Sequence, residues 1–186
     1  RVGPSLGGGE GIDLTFEPDR RIGDGTVTAG AGWKLTARHM PGHLGDHLVF
    51  DAGDFAFSGD LLMGWATTVI SPPDGDLAAF RESIKRLRAA APAVCYPGHG
   101  APVRDPAAIC TYLLAHRDRR EAAIIAVLEF GPARIHDLVA MLYADVDPAL
   151  HPAASRNVLA HLADLEFRGR IVCDGGIRAD GVFRMA

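Results

Sequence analysis

Apolar residues in the first half of the chain come in short runs, repeatedly cut by Gly, Asp and Pro. That spacing predicts strands rather than helices. The strands fall at Leu14-Thr15-Phe16, Gly25–Thr28 and Trp33–Arg38, followed by a hairpin of residues 47–51 and 54–58 around Ala52-Gly53. Phe55 and Phe57 are two apart and so share one face of the last strand. Residues 61–75 read as a loop ending in Ser71-Pro72-Pro73-Asp74-Gly75.

The period then changes. Leu77, Phe80, Ile84 and Leu87 recur at steps of 3, 4 and 3, which predicts a helix from about Asp76 or Leu77 to Ala91, with Asp74 or Asp76 as its cap. Pro92 stops it, and Val94-Cys95-Tyr96 is a short buried strand. Asp105-Pro106 opens a long helix that runs to about Phe130, where Gly131-Pro132 ends it. Its middle, His116 to Glu121, is charged and reads as a solvated face with ion pairs such as Arg117 with Glu121.

A boundary is expected at 131. Ile135, Leu138, Val139 and Leu142 mark one short helix, and Val158, Leu159, Leu162, Leu165 and Phe167 mark another after Asp147-Pro148. Arg170–Cys173 and Val182–Met185 then make two strands around Asp174-Gly175-Gly176. Two helices and a β-ribbon form the pattern of a winged helix-turn-helix unit over 131–186. Residues 1–130 form the other domain, with the Gly-rich stretch 1–13 expected to be mobile.

Composition changes this picture little. Of the 186 residues, 48% are hydrophobic and 23% charged, ordinary for a soluble globular chain. The net charge of -4 gives no global attraction to nucleic acid or anionic membrane. No apolar run is long enough to span a bilayer. The three cysteines, Cys95, Cys110 and Cys173, are odd in number and widely spaced, as expected of reduced core residues in a cytoplasmic protein.

The candidate chemistry lies in three turns. His39-Met40-Pro41-Gly42-His43, Phe57-Ser58-Gly59-Asp60 and Tyr96-Pro97-Gly98-His99-Gly100 each follow a strand-like run. Pro fixes one backbone dihedral, and Gly lets the chain turn sharply and approach a bound group. Imidazole nitrogen and carboxylate oxygen are standard donors to Zn²⁺, and a water held between two cations becomes a strong nucleophile near neutral pH. His43, Asp60 and His99 are therefore the candidate metal ligands. Asp46 and His47 are candidates for orienting those ligands, and His39 for a structural role. His136, His151 and His161 are scattered and read as surface residues.

In that order, two Pro-Gly-His turns flanking a Gly-Asp resemble the second half of the metallo-β-lactamase fold superfamily, which includes glyoxalase II. The resemblance sharpens toward the branch of the mitochondrial β-lactamase-like endoribonuclease at Gly45-Asp46-His47, Thr67-Thr68-Val69, His116-Arg117 and the winged-helix-like end. It covers about residues 14 to 180. It implies an α/β fold, the second half of an αββα sandwich followed by the winged-helix-like domain. It also implies that His43 binds one zinc, that Asp60 bridges two, and that His99 binds the other. The family's H-x-H-x-D-H cluster, with further ligands and the presumed general base, does not occur in this sequence. The chain is accordingly expected to be the C-terminal part of a longer protein, with the base upstream of Arg1.

The function implied is metal-dependent hydrolysis of a thioester, ester or lactone, with cleavage of single-stranded RNA as the alternative from the closer branch. A third reading, from a different class, is a non-catalytic winged-helix protein that binds nucleic acid. Arg156, Asn157, His161 and Arg168 on the second helix give it only a slight basic bias, offset by Asp164 and Glu166. The C-terminal unit is therefore expected chiefly as a packing module, a homodimer contact or a wall of the substrate cleft.

Overall fold

The computed structural model describes residues 15–186. Strands β1 (Val27–Gly30), β2 (Trp33–His39), β3 (Leu48–Asp51), β4 (Phe55–Gly59) and β5 (Val94–Pro97) form one sheet in the order of the chain. The first four are antiparallel neighbours; β5 runs parallel to β4 after the crossover helix α1 (Leu77–Ala90). The long helix α2 (Pro106–Phe130) follows. A second sheet, of order β6-β8-β7, joins β6 (Ala133–Arg134), β7 (Ile171–Cys173) and β8 (Val182–Met185). It accompanies helices α3 (Ile135–Leu142) and α4 (His151–Phe167), with a 3₁₀ turn at Pro148–Leu150 between them.

By its contacts the chain divides into two compact units. One holds the described residues up to Thr68 and Ala78–Leu114; the other holds Val69–Leu77 and Ala115–Ala186. In the first, period-two alternation sorts the sheet into two faces. Val49, Ala56 and Cys95 are buried on the face toward α1, as are Phe80, Ile84 and Leu87 of that helix. Ser83 Oγ donates to Pro41 O at 2.7 Å and Arg86 Nη1 to His39 O at 2.9 Å, which ties α1 to the end of β2. The other face carries Trp33, Phe57 and Tyr96, exposed at 52%, 44% and 41%. Phe55, Phe57 and Tyr96 make mutual ring contacts there, with centroids 5.5 to 5.8 Å apart.

In the second unit Ile124 and Leu128 of α2 join Leu138, Val158, Leu162, Leu165, Ile171 and Phe183 in one core. Asp147 Oδ1 accepts from Ala149 N at 2.9 Å to start the 3₁₀ turn, and Asp137 Oδ2 accepts from Arg134 N at 2.9 Å at the head of α3. Gly169 takes φ 66° as the chain leaves α4 for β7, a conformation that favours glycine.

The expected helices all form, and α1 buries the predicted stripe of Leu77, Phe80, Ile84 and Leu87. The three cysteines are free and buried, and burial pushes the Cys95 thiol up to about 11 and Cys110 to about 12. Several expectations need correction. Thr15 lies in a turn and Phe16 is exposed without strand pairing; Leu14, like the stretch 1–13, lies outside the described residues. The strand β6 and the 3₁₀ turn were not expected, being two and three residues long.

Two corrections have a clear physical cause. Arg117 is not on a solvated face, and His161 is not on the surface: each is 1% exposed. The buried positions of α2 are Pro106, Cys110, Leu113, Arg117, Ile124 and Leu128, and those of α4 include Ala154, Val158, His161 and Leu165. Both sets follow helical steps of three, four and seven, and so each polar residue occupies a place in a buried stripe. In the same region Arg168 pairs with Glu121 at 2.8 Å and with Asp164 at 2.9 Å. Among the described residues no helix is long and apolar enough to cross a membrane.

Candidate metal centre

Strand direction brings the three turns to one end of the sheet. β3 runs antiparallel to both β2 and β4, and β5 runs parallel to β4, so β2, β4 and β5 all point the same way. His43, Asp60 and His99 each follow the C-terminal end of one of these strands. Asp60 Oδ2 lies 3.8 Å from His43 Nε2 and 3.7 Å from His99 Nε2, so one carboxylate oxygen faces both imidazoles. These separations are too long for hydrogen bonds. They approach the roughly 3.4 Å expected between a nitrogen and an oxygen bound to one tetrahedral Zn²⁺. The other oxygen, Asp60 Oδ1, is buried and has no hydrogen-bond partner. A buried carboxylate oxygen without a donor is costly, and a cation would relieve that cost.

Asp60 is held by its surroundings rather than by its own side-chain bonds. Its N–H donates to His47 Nε2 at 3.2 Å, so this ring nitrogen must be the acceptor. Burial, helped by the nearby His43, holds the His47 imidazole below its ordinary range, against the raising effect of Asp60 and Asp46. That favours the neutral ring that can accept. Asp46 itself is exposed and bears on His47 through charge. His39 Nε2 meets Gly45 O at 2.8 Å, which fixes the loop between the first Pro-Gly turn and His47.

The glycines beside the candidate ligands leave no room for a side chain. A Cβ on Gly98 would stand 2.6 Å from Asp60 Oδ1, and one on Gly59, where φ is 51°, would stand 2.7 Å from His47 Nε2. Gly98 N also donates to Gly59 O at 3.0 Å, joining two of the turns directly. Beyond His99, Gly100 packs so closely on Trp65 that a Cβ there would lie 2.7 Å from its Cδ1. Trp65 itself is 74% exposed.

Two contributors were passed over in the sequence as site residues. Thr68 is buried and its hydroxyl lies 2.9 Å from Asp60 O and 3.2 Å from Leu61 O. Buried Ser58 donates to Leu62 O at 3.1 Å on the far side of the same turn. Their signal was faint, since hydroxyl residues in strands and loops are common; their nearness to the Gly-Asp turn was the available hint. Among the described residues no group of three or more His, Cys, Asp or Glu side chains is gathered around one ion position. The donors instead form two His–Asp pairs that share Asp60. The residues fit metal ions as part of a donor set, with Asp60 common to His43 and His99.

With this geometry in view, comparison with known proteins is direct. Residues 3–99 match the metallo-beta-lactamase superfamily and residues 135–179 the beta-lactamase associated winged helix domain. The first match takes in more than half of the chain, and the protein belongs to the metallo-β-lactamase superfamily. A beta-lactamase-like protein 2 homolog of Drosophila melanogaster is 32% identical over 149 residues, covering 78% of this chain and 49% of that protein. An atrochrysone carboxyl ACP thioesterase of Paecilomyces divaricatus is 32% identical over 131 residues, 69% of this chain and 40% of the relative. The chain thus spans about half the length of the curated relatives it matches. Among solved structures, a metallo-beta-lactamase family protein of Thermus thermophilus gives a TM-score of 0.78 at 25% identity, over 91% of this chain and 55% of that one. A beta-lactamase domain protein from Burkholderia ambifaria gives 0.80 at 22%, over 90% and 52%, a likeness of fold.

Proposed function

We propose that the protein is a zinc-dependent hydrolase acting on a thioester, ester or lactone, with His43, Asp60 and His99 as its contribution to the metal site. The observation that carries this reading is Asp60, whose Oδ2 faces both histidines while its buried Oδ1 lacks a donor. Bound metal ions would supply an activated water near neutral pH and positive charge against the negative charge that develops on the substrate.

The chain's own residues do the positioning. His43 and His99 each present a ring nitrogen to the same oxygen of the shared carboxylate. His47 and Thr68 fix the backbone of the turn that carries Asp60, so the carboxylate does not need to reorganise when it binds. The thioesterase named among the relatives favours an acyl substrate over RNA.

The test is metal content and turnover in the intact protein. Near-stoichiometric zinc is expected, largely lost in Asp60→Ala, together with hydrolysis of a panel of thioesters that falls by at least about a hundredfold in His43→Ala. No zinc in the wild type would overturn the metal reading. Inactivity on every thioester and lactone, with cleavage of single-stranded RNA, would replace the substrate class.

A further inference from the structure

We infer that Asn157, in the winged-helix unit, is a positioning residue for the turn that carries Asp60. The inference rests on the metal reading above and extends it to a residue with no donor role. Two hydrogen-bond sets sit on neighbouring residues of the chain. In the first unit, the Thr68 hydroxyl holds the carbonyls of Asp60 and Leu61. In the second, the buried Ile70 N–H donates to Asn157 Oδ1 at 3.1 Å, and Arg117 Nη1 donates to the same oxygen at 3.2 Å. Only Val69 separates the two anchors, and two residues of chain reach at most about 7 Å. A segment this short, pinned at both ends, transmits a displacement instead of absorbing it.

The chemistry explains why the residue is Asn. Its amide oxygen has two lone pairs and takes both donors, one from the backbone and one from a guanidinium. A buried Ile70 N–H that loses this acceptor must find another, since a buried unpaired amide is costly. Moving Ile70 to do so pulls on Thr68, whose hydroxyl then no longer holds the Asp60 carbonyl. The carboxylate keeps its identity and loses its preset position.

The experiment is a double-mutant cycle read by metal affinity in the intact protein, with Zn²⁺ titrated against a chromophoric chelator. Asn157→Leu is expected to weaken zinc binding about tenfold. Asn157→Asp, which keeps an acceptor oxygen, should restore wild-type affinity. Thr68→Val should weaken binding similarly, and the double variant no more than Thr68→Val alone, because both act through one segment. Hydrogen exchange on the metal-free protein gives a second readout: Asn157→Leu should speed exchange in residues 58–68, where a purely structural role would loosen only residues 69–77 and 115–186. If Asn157→Leu does not fold, Asn157→Ser carries the same expectations. Wild-type zinc affinity in Asn157→Leu, or effects that multiply independently with Thr68→Val, would overturn the inference. Zinc binding that is indifferent to Asp60→Ala would instead overturn the metal reading, and this one with it.

Discussion

Gly98 shows how little space separates a working turn from a spoiled one. Its missing side chain leaves room for Asp60 Oδ1, the buried carboxylate oxygen without a donor. Gly98→Ala would place a methyl 2.6 Å from that oxygen. The obstructed atom is the end of a side chain, so the carboxylate should rotate away while the backbone stays put. The expected result is metal affinity reduced about tenfold with a melting temperature of the metal-free protein close to wild type, read by chelator competition and by calorimetry. Gly59→Ala should behave differently. There φ is 51° and the clash is with the His47 ring, so stability should fall along with affinity.

Among elements, α2 is the one whose chemistry departs most from its apparent pattern. Burial, followed by the charges of Arg117, Arg120 and Arg119, pushes His116 down to about 4 from 6.5. The unfolded chain therefore binds a proton more readily between those two values. This contribution to stability is fully present above about pH 6.5 and drains away as pH falls toward 4. Urea midpoints measured at pH 7.5 and pH 5 should differ in the wild type, and the gap should narrow in His116→Gln.

The same helix shows what could be read from the sequence. In α1 the apolar residues and the buried residues coincide, so their spacing placed both the helix and its inward face. In α2 and α4 the spacing was equally regular, but Arg117 and His161 occupy stripe positions where residue type argued for solvent. Type outweighed period, and there the reading failed. The three candidate ligand turns were visible because two Pro-Gly-His turns flank a Gly-Asp; their closeness was not, since it depends on β5 pairing parallel to β4 across the 34 residues between them. Thr68 was legible only within the family-like Thr67-Thr68-Val69, and Asn157 only as a polar residue of the winged-helix-like unit; their bonds to Asp60 O and Ile70 N were not.

For the whole molecule, charge bears on the winged-helix reading. Three of the unit's arginines are engaged: Arg168 with Glu121 and Asp164, Arg178 with Asp180 at 3.1 Å, and Arg184 with Asp174 at 3.4 Å. Together with a net charge of -4, this leaves little electrostatic attraction for DNA. Fluorescence anisotropy with a labelled duplex should show no binding at micromolar protein and 150 mM salt. Tight binding with a steep salt slope would restore the winged helix as a nucleic-acid reader.

The packing of Gly100 against Trp65 gives the protein a built-in optical reporter. Of its two tryptophans, Trp65 stands beside the residue that follows His99, whereas Trp33 begins the seven-residue strand β2. At about 3.3 Å per residue, Trp33 is roughly 20 Å from the ligand-bearing end of that strand. Co²⁺, whose partly filled d shell drains excited-state energy at short range, should dim the indole emission of the wild type and of Trp33→Phe alike. In Trp65→Phe the remaining signal should stay almost unchanged, so the light lost on titration would report how full the site is.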